Sequence, residues 1–246
     1  MASDIFSVEG RICLVTGASS GLGAHFAALL ASRGAQVAGA SFTEPAEAME
    51  NVLHFDCDIR DGAAVTATFD AVEREWGPIQ VLINAAGVAE FERAEALEDE
   101  VFAELLDVNV TGTMRVTREA VKRMQKAKQG GSIINISSVL ATKTMSGLSA
   151  YGGSKAALEQ LTRAQAAEWA RHGIRVNALA PGWFPTAMTQ QHFDKGLDKI
   201  LKTRIPMRRL GTPDDLDGAL LLLASEASRY MTGSVITVDG GFVAGI

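Results

Sequence analysis

Residues 149–155 read Ser-Ala-Tyr-Gly-Gly-Ser-Lys, with a tyrosine and a lysine four positions apart. On a helix, positions i and i+4 share one face, so the ammonium of Lys155 would stand near the phenol of Tyr151. A phenol titrates near ~10 in water and transfers protons poorly at neutral pH. A unit charge about 4 Å away is worth roughly 4 kcal/mol at an effective dielectric near 20, or about three pKa units. Tyr151 and Lys155 are therefore a candidate acid–base couple. The plain alternative is a surface pair on a polar first helical turn.

A second stretch, TGASSGLG at 16–23, follows an apolar run and opens a helical pattern. Gly17 would let the backbone turn tightly, Gly21 would let it approach a pyrophosphate at the helix N-terminus, and Gly23 would let the helix pack close to a sheet. The same residues contain Gly-x-Ser-x-Gly at 17–21, the nucleophile-elbow pattern of serine hydrolases. That rival would use Ser19. Two features count against it: Ser19 follows the first strand rather than a later one, and the last histidine, His192, has 54 residues after it.

These residues need a frame. Short β-branched or apolar runs at 11–16, 35–40, 51–55, 79–84, 132–137, 174–179 and 234–239 alternate with helical patterns at 22–33, 62–75, 98–128, 152–171 and 213–225. The alternation predicts βαβ units and a parallel sheet covered on both faces. With no repeat, low-complexity tract or linker, residues 1–246 are expected to form a single domain. Residues 41–50 leave room for at most a helical turn between the second and third strands.

Of the 246 residues, 47% are hydrophobic and 21% charged, enough for a sizeable core. The net charge of −6 argues against nucleic acid or an anionic membrane as partner. Two cysteines, Cys13 and Cys57, in strand-like runs suit a reducing cytoplasm, and the N-terminus lacks a signal-peptide pattern. No run reaches the ~18 apolar residues of a membrane span. The four histidines share no ligand spacing, so no metal is expected.

With the glycine loop, SAYGGSK and the serine of NISS (135–138) together, the chain resembles the short-chain dehydrogenase/reductase family, in particular its 3-oxoacyl-reductase-like and secondary alcohol dehydrogenase members. DVNVTG (107–112), INAAG (83–87), IRVNALAPGWFPTAM (174–188), RRLGTPDDL and MTGSVITVDGG extend the resemblance over residues 8–242. Ala85 stands where the family usually has asparagine. The resemblance implies a Rossmann-type doubly wound sheet of seven parallel strands, order 3-2-1-4-5-6-7, with a dinucleotide across its C-terminal edge. It implies a catalytic set of Asn109, Ser138, Tyr151 and Lys155 that interconverts a secondary alcohol and its ketone. Ser138 would polarise the oxygen and Tyr151 would move the proton. Lys155 would lower the phenol's pKa and bond the ribose, and Asn109 would hold a water linking Lys155 to solvent. A protein that binds the dinucleotide without catalysis is the remaining alternative.

The implied cofactor contacts are Gly17, Ser19, Ser20, Gly21, Leu22, Gly23, Ser41, Asp58, Ile59, Asn84, Gly87, Tyr151, Lys155, Pro181, Gly182, Phe184 and Thr186. The substrate pocket would take Ser138, Leu140, Tyr151, Trp183, Met188 and His192, beneath a variable lid at about 189–207. Asn177 and Asp239 are expected to tie loops together. For the dinucleotide itself, Ser41 occupies the place where an NAD site normally has an acid. Ser20 and Phe42 occupy the places where an NADP site has a cation. A dianion without a basic partner loses charge-assisted hydrogen bonds, so NAD is expected, with NADP not excluded. Helix 152–171 has small and apolar residues on more than one side, including Ala156, Leu161, Ala164 and Ala167. A second apolar face needs a second partner, and the family pairing implies a homotetramer.

Overall fold

The computed structural model describes residues 4–186 and 196–245. Seven strands form one sheet: β1 (Ile12–Thr16), β2 (Gln36–Ser41), β3 (Val52–Asp56), β4 (Val81–Asn84), β5 (Gly131–Ile136), β6 (Ile174–Pro181) and β7 (Val235–Val238). Their order is β3-β2-β1-β4-β5-β6-β7, and every pairing is parallel. Order and strand count match the expectation.

The period-2 alternation of strand side chains sorts the core into two layers. Cys13 and Val15 of β1 face the same side as Phe26, Ala27 and Leu30 of α1 (Gly21–Ser32). Leu14 faces the other side, with Val65, Phe69 and Val72 of α2 (Gly62–Glu75). All five residues of β1 are buried, as a strand covered on both faces requires.

Residues 98–128, which read as one helical stretch, form three consecutive segments. These are α3 (Asp99–Leu106), a π-helical turn at Asp107–Gly112 and α4 (Thr113–Ala127). The reason is local. The side chain of Asn109 bonds to the backbone of Val88, and Gly112 lies so close to Ile59 that an added Cβ would meet that side chain at 2.9 Å. π turns of this kind recur where a functional side chain is re-aimed. Helix α5 (Ser149–Trp169) begins earlier than the 152 expected, which brings Tyr151 into its first turn.

Between β2 and β3 there is no helix at all, and Leu53 on the β3 edge is 42% exposed. Farther along lie α6 (Leu197–Arg204) and α7 (Asp217–Ala224). The latter packs its leucines with α1 in the first layer.

Candidate active site

The loops leaving the C-terminal ends of β1, β2, β4, β5 and β6 enclose a cavity of about 540 Å³. Parallel strands put all these loops on one edge, so distant sequence segments converge there.

At one end lies the glycine loop. Gly21 has φ +56°, a conformation that side chains strain to adopt. A Cβ there would meet nothing closer than Thr186, at 3.8 Å. The backbone is thus bare where the start of α1, with no acidic residue in its first turn, faces the cavity. Uncapped N–H groups and a positive helix end suit a pyrophosphate. Ser19, Ser20, Leu22 and Gly23 line the same wall. The hydroxyl of Ser19 bonds Thr43 Oγ1 at 3.0 Å, not a histidine, so nothing here activates it as a nucleophile.

Ser41 differs from expectation. It is 3% exposed, and its Oγ accepts the Ser19 backbone N–H at 2.8 Å. It fastens the glycine loop to the end of β2 instead of standing free for a ribose. Thr43, which the sequence reading passed over, lines the cavity beside it.

Asp58 and Ile59 also line the cavity. The Arg60 side chain and backbone N–H hold the Asp58 carboxyl below its usual range. Arg60 had seemed too far along the chain to matter. The structure corrects this: its guanidinium lies in the cavity wall, 5.5 Å from the Phe42 ring centre. Glu104, on α3, meets it there at 3.0 Å. No sequence signal connects positions 44 residues apart, which is why Glu104 was missed.

Asn84 is a further correction. Its side chain is buried in a polar ladder, donating to Thr117 Oγ1 at 2.9 Å and to Asn135 Oδ1 at 2.8 Å. Asn135 passes the ladder on to Thr162. The residue does not line the cavity; it braces β4 against β5 and α4.

The reacting end gathers Ser138, Tyr151 and Lys155. Ser138 closes β5 in extended conformation, and its Oγ accepts the Leu140 N–H at 3.1 Å. The same hydroxyl hydrogen-bonds the Tyr151 phenol. Lys155 is 5% exposed, donates to the Ile136 carbonyl at 2.8 Å, and lies 5.6 Å from the Tyr151 ring centre. The anticipated drop of the phenol towards neutrality is not produced by these protein groups. Burial pushes Tyr151 up to about 12, with the Ser138 bond opposing it. Burial also pulls Lys155 down to about 8. The ammonium sits against the ring and a carbonyl, not against the phenol oxygen.

Asn109 is fully buried. Its Oδ1 accepts Val88 N–H at 2.8 Å, and its Nδ2 donates to Val88 O at 2.8 Å and Ser154 Oγ at 3.0 Å. With both ends of its amide committed to protein, the side chain positions the loop after β4. Gly87 makes this possible, because a Cβ there would sit 3.1 Å from Asn109 Oδ1 and 3.4 Å from Lys155 Nζ.

Pro181, Gly182, Trp183, Phe184 and Thr186 form the opposite wall. Leu140 and Trp183 belong to a small apolar cluster with Leu148, Leu201 and Ile205, and Phe91 packs on it. Leu148 and Phe91 line the cavity too, although nothing in their local sequence marks them. Met188, His192 and the lid residues 189–195 lie outside the described residues. Of the rest of the lid, α6 buries Leu201 while Ile200 is 53% exposed, so Ile200 is not part of the apolar face expected for it. Asn177 and Asp239 do tie loops: Asn177 bonds Met231 O and Ser234 N, and Asp239 accepts from Gly241 and Val243.

Comparison with known proteins agrees with this geometry. The family model described as enoyl-(acyl carrier protein) reductase matches residues 17–243. A 2-dehydro-3-deoxy-D-gluconate 5-dehydrogenase of Escherichia coli is 36% identical, covering 99% of this chain and 100% of its own. A gluconate 5-dehydrogenase from Burkholderia cenocepacia, solved with NADP and tartrate, superposes with a TM-score of 0.94 at 32% identity, over 100% of both chains. A short-chain type dehydrogenase/reductase from Mycobacterium marinum gives a TM-score of 0.91 at 35% identity, over 97% of this chain and 98% of its own. The chain belongs to the short-chain dehydrogenase/reductase family, NAD(P)-dependent oxidoreductases acting on CH–OH and C=O groups.

Proposed function

We propose that this chain, as one catalytic unit, interconverts a secondary alcohol and its ketone, with Tyr151 moving the proton and Ser138 holding the reacting oxygen. The observation that carries the reading is the Ser138 hydroxyl on the Tyr151 phenol beside a buried Lys155, in the cavity that the glycine loop opens into. When bound, the nicotinamide dinucleotide supplies or accepts the hydride. The start of α1 would hold its pyrophosphate. Asp58, Ile59 and Gly87 would flank the adenosine, and Pro181, Gly182, Phe184 and Thr186 the nicotinamide.

With its pKa at about 12, the phenol carries its proton at neutral pH and is loaded to protonate a carbonyl oxygen. Ser138 donates to that oxygen and fixes its distance from Tyr151. In the reverse direction the phenol must first lose its proton, and the adjacent cation of Lys155 is the group that favours this. Asn109 serves as a positioning residue for the loop at Gly87–Val88.

Around the reacting end the described walls are Val88, Phe91, Leu140, Leu148 and Trp183. These support a carbonyl or alcohol carried on an apolar group, in contrast to the sugar acids named for the relatives. NAD is the favoured dinucleotide, because Ser20 and Phe42 offer no charge to a ribose phosphate. That the Burkholderia relative holds NADP shows that the family frame accepts it.

A homotetramer is supported by α5, whose Gly153, Ala164 and Ala167 stay exposed on a 21-residue helix. Light scattering that gave a monomer at micromolar concentration would refute it. No helix among the described residues is long and apolar enough to cross a membrane, and both cysteines are buried and free. Both features support a cytoplasmic setting.

Tyr151→Phe tests the core of the reading. Turnover should vanish while dinucleotide affinity stays within a few fold, since the ring remains and the proton carrier is gone. Normal turnover by this variant would refute the mechanism.

A further inference from the structure

Two cations line the cavity among the described residues, Lys155 at the reacting end and Arg60 at the other. Arg60 is not free. Its Nε lies 3.0 Å from both Asp58 oxygens, and its Nη2 lies 2.8 Å from Asp58 Oδ2. Its Nη1 donates to Glu104 Oε1 at 3.0 Å, and the guanidinium stacks on Phe42 at 5.5 Å. Two carboxylates thus face one guanidinium, and this end of the cavity is net negative. Its remaining polar groups, the hydroxyls of Ser19 and Thr43, already bond each other.

We infer that Glu104 is a specificity-determining residue, which together with Asp58 neutralises Arg60 and so keeps a ribose 2′-phosphate out of the cavity. The inference rests on the proposed dinucleotide function, in which the adenosine ribose lies at the end of β2. A neutral ribose hydroxyl needs only neighbours such as Ser19 and Thr43. A phosphate dianion needs a cation with free N–H groups, and here it would meet a guanidinium already paired, beside two like charges.

Phe42 and Asp58 would still hold Arg60 in place without Glu104. Removing the Glu104 charge therefore leaves a positioned guanidinium with Nη1 freed. Glu104 has a side chain 66% exposed on the surface of α3, so the substitution does not disturb the core.

The experiment titrates NADH and NADPH by their fluorescence into the wild-type protein, Glu104→Gln, Arg60→Ala and the double variant. Glu104→Gln should tighten NADPH binding about tenfold, equivalent to about 1.4 kcal/mol, with NADH within twofold. In the Arg60→Ala background the gain should disappear. A gain under threefold overturns the inference, and so does an equal gain in the Arg60→Ala background, which would mean general charge repulsion. A tenfold wild-type preference for NADPH also overturns it, while leaving the oxidoreductase reading standing. A wild-type protein that bound neither dinucleotide would overturn that reading, and this inference with it.

Discussion

The Nζ of Lys155 lies 5.6 Å from the centre of the Tyr151 ring, yet its hydrogen bond goes to the Ile136 carbonyl, 2.8 Å away. An ammonium has three donors, and a single carbonyl compensates its burial poorly. The same burial that draws Lys155 down to about 8 raises Tyr151 to about 12. The protein therefore holds a reluctant cation beside a reluctant acid, a costly arrangement of the sort that clusters at functional sites.

The cost of that cation is measurable. A folded-state pKa of about 8 against the ordinary 10.5 means that the unfolded chain holds the Lys155 proton more tightly. Below pH 8 this disfavours folding by up to about 3 kcal/mol, and the penalty fades as pH rises from about 8 to 10.5. Lys155→Met loses the bond to Ile136, worth roughly 1 kcal/mol. It should still raise Tm at pH 7 by several degrees while ending turnover. Thermal melts at pH 7 and pH 10.5 should show the gain shrinking with pH. A lower Tm at pH 7 would contradict this account of Lys155.

Asn109 should behave in the opposite way. Asn109→Leu leaves the Val88 N–H and carbonyl without the partners they have at 2.8 Å. The expected loss is about 2–4 kcal/mol, seen as a lower urea midpoint together with a fall in kcat. An unchanged midpoint would show that the loop at Val88 does not depend on this amide.

Wall chemistry predicts substrate preference. With Leu140, Leu148, Phe91 and Trp183 around the reacting end, cyclohexanone-like or alkyl methyl ketones should exceed a keto sugar acid in kcat/KM by at least tenfold. A carboxylate would be desolvated there without a described cation to receive it. Following the absorbance of the reduced nicotinamide with both substrate classes decides the matter. Faster turnover of the sugar acid would reject the apolar reading.

Ser19→Ala separates the family chemistry from serine hydrolysis. The Ser19 hydroxyl meets Thr43, so its removal should leave oxidoreductase turnover within about fivefold. Any esterase activity that vanished with it would revive the Gly-x-Ser-x-Gly reading.

Much of this architecture is legible in the chain because its signals are local. Helix α2 spans Gly62–Glu75, the bounds that its period and flanking Asp61 imply. The strands fall within two residues of their apolar runs. What could not be read depends on contacts between distant segments. Ser41 turns to Ser19 because β2 ends beside the glycine loop, and Asn84 turns to Thr117 because α4 lies over β4. Arg60 enters the cavity because Phe42 and Glu104 meet it there. The phenol's pKa likewise follows from burial, a quantity that spacing along a helix does not contain.

The π turn at Asp107–Gly112 makes this rod intolerant of small length changes. A wider turn accommodates one residue more than an α-helix of equal rise. Deleting one residue there would let α3 and α4 fuse into an ordinary helix, rotating everything beyond by about 100°. Val116, Ala120 and Met124, all buried under the sheet, would swing away from it, or Asn109 would release Val88. Homologous chains spliced or recombined within 107–112 must therefore keep the residue count, even where the residue types are free to vary.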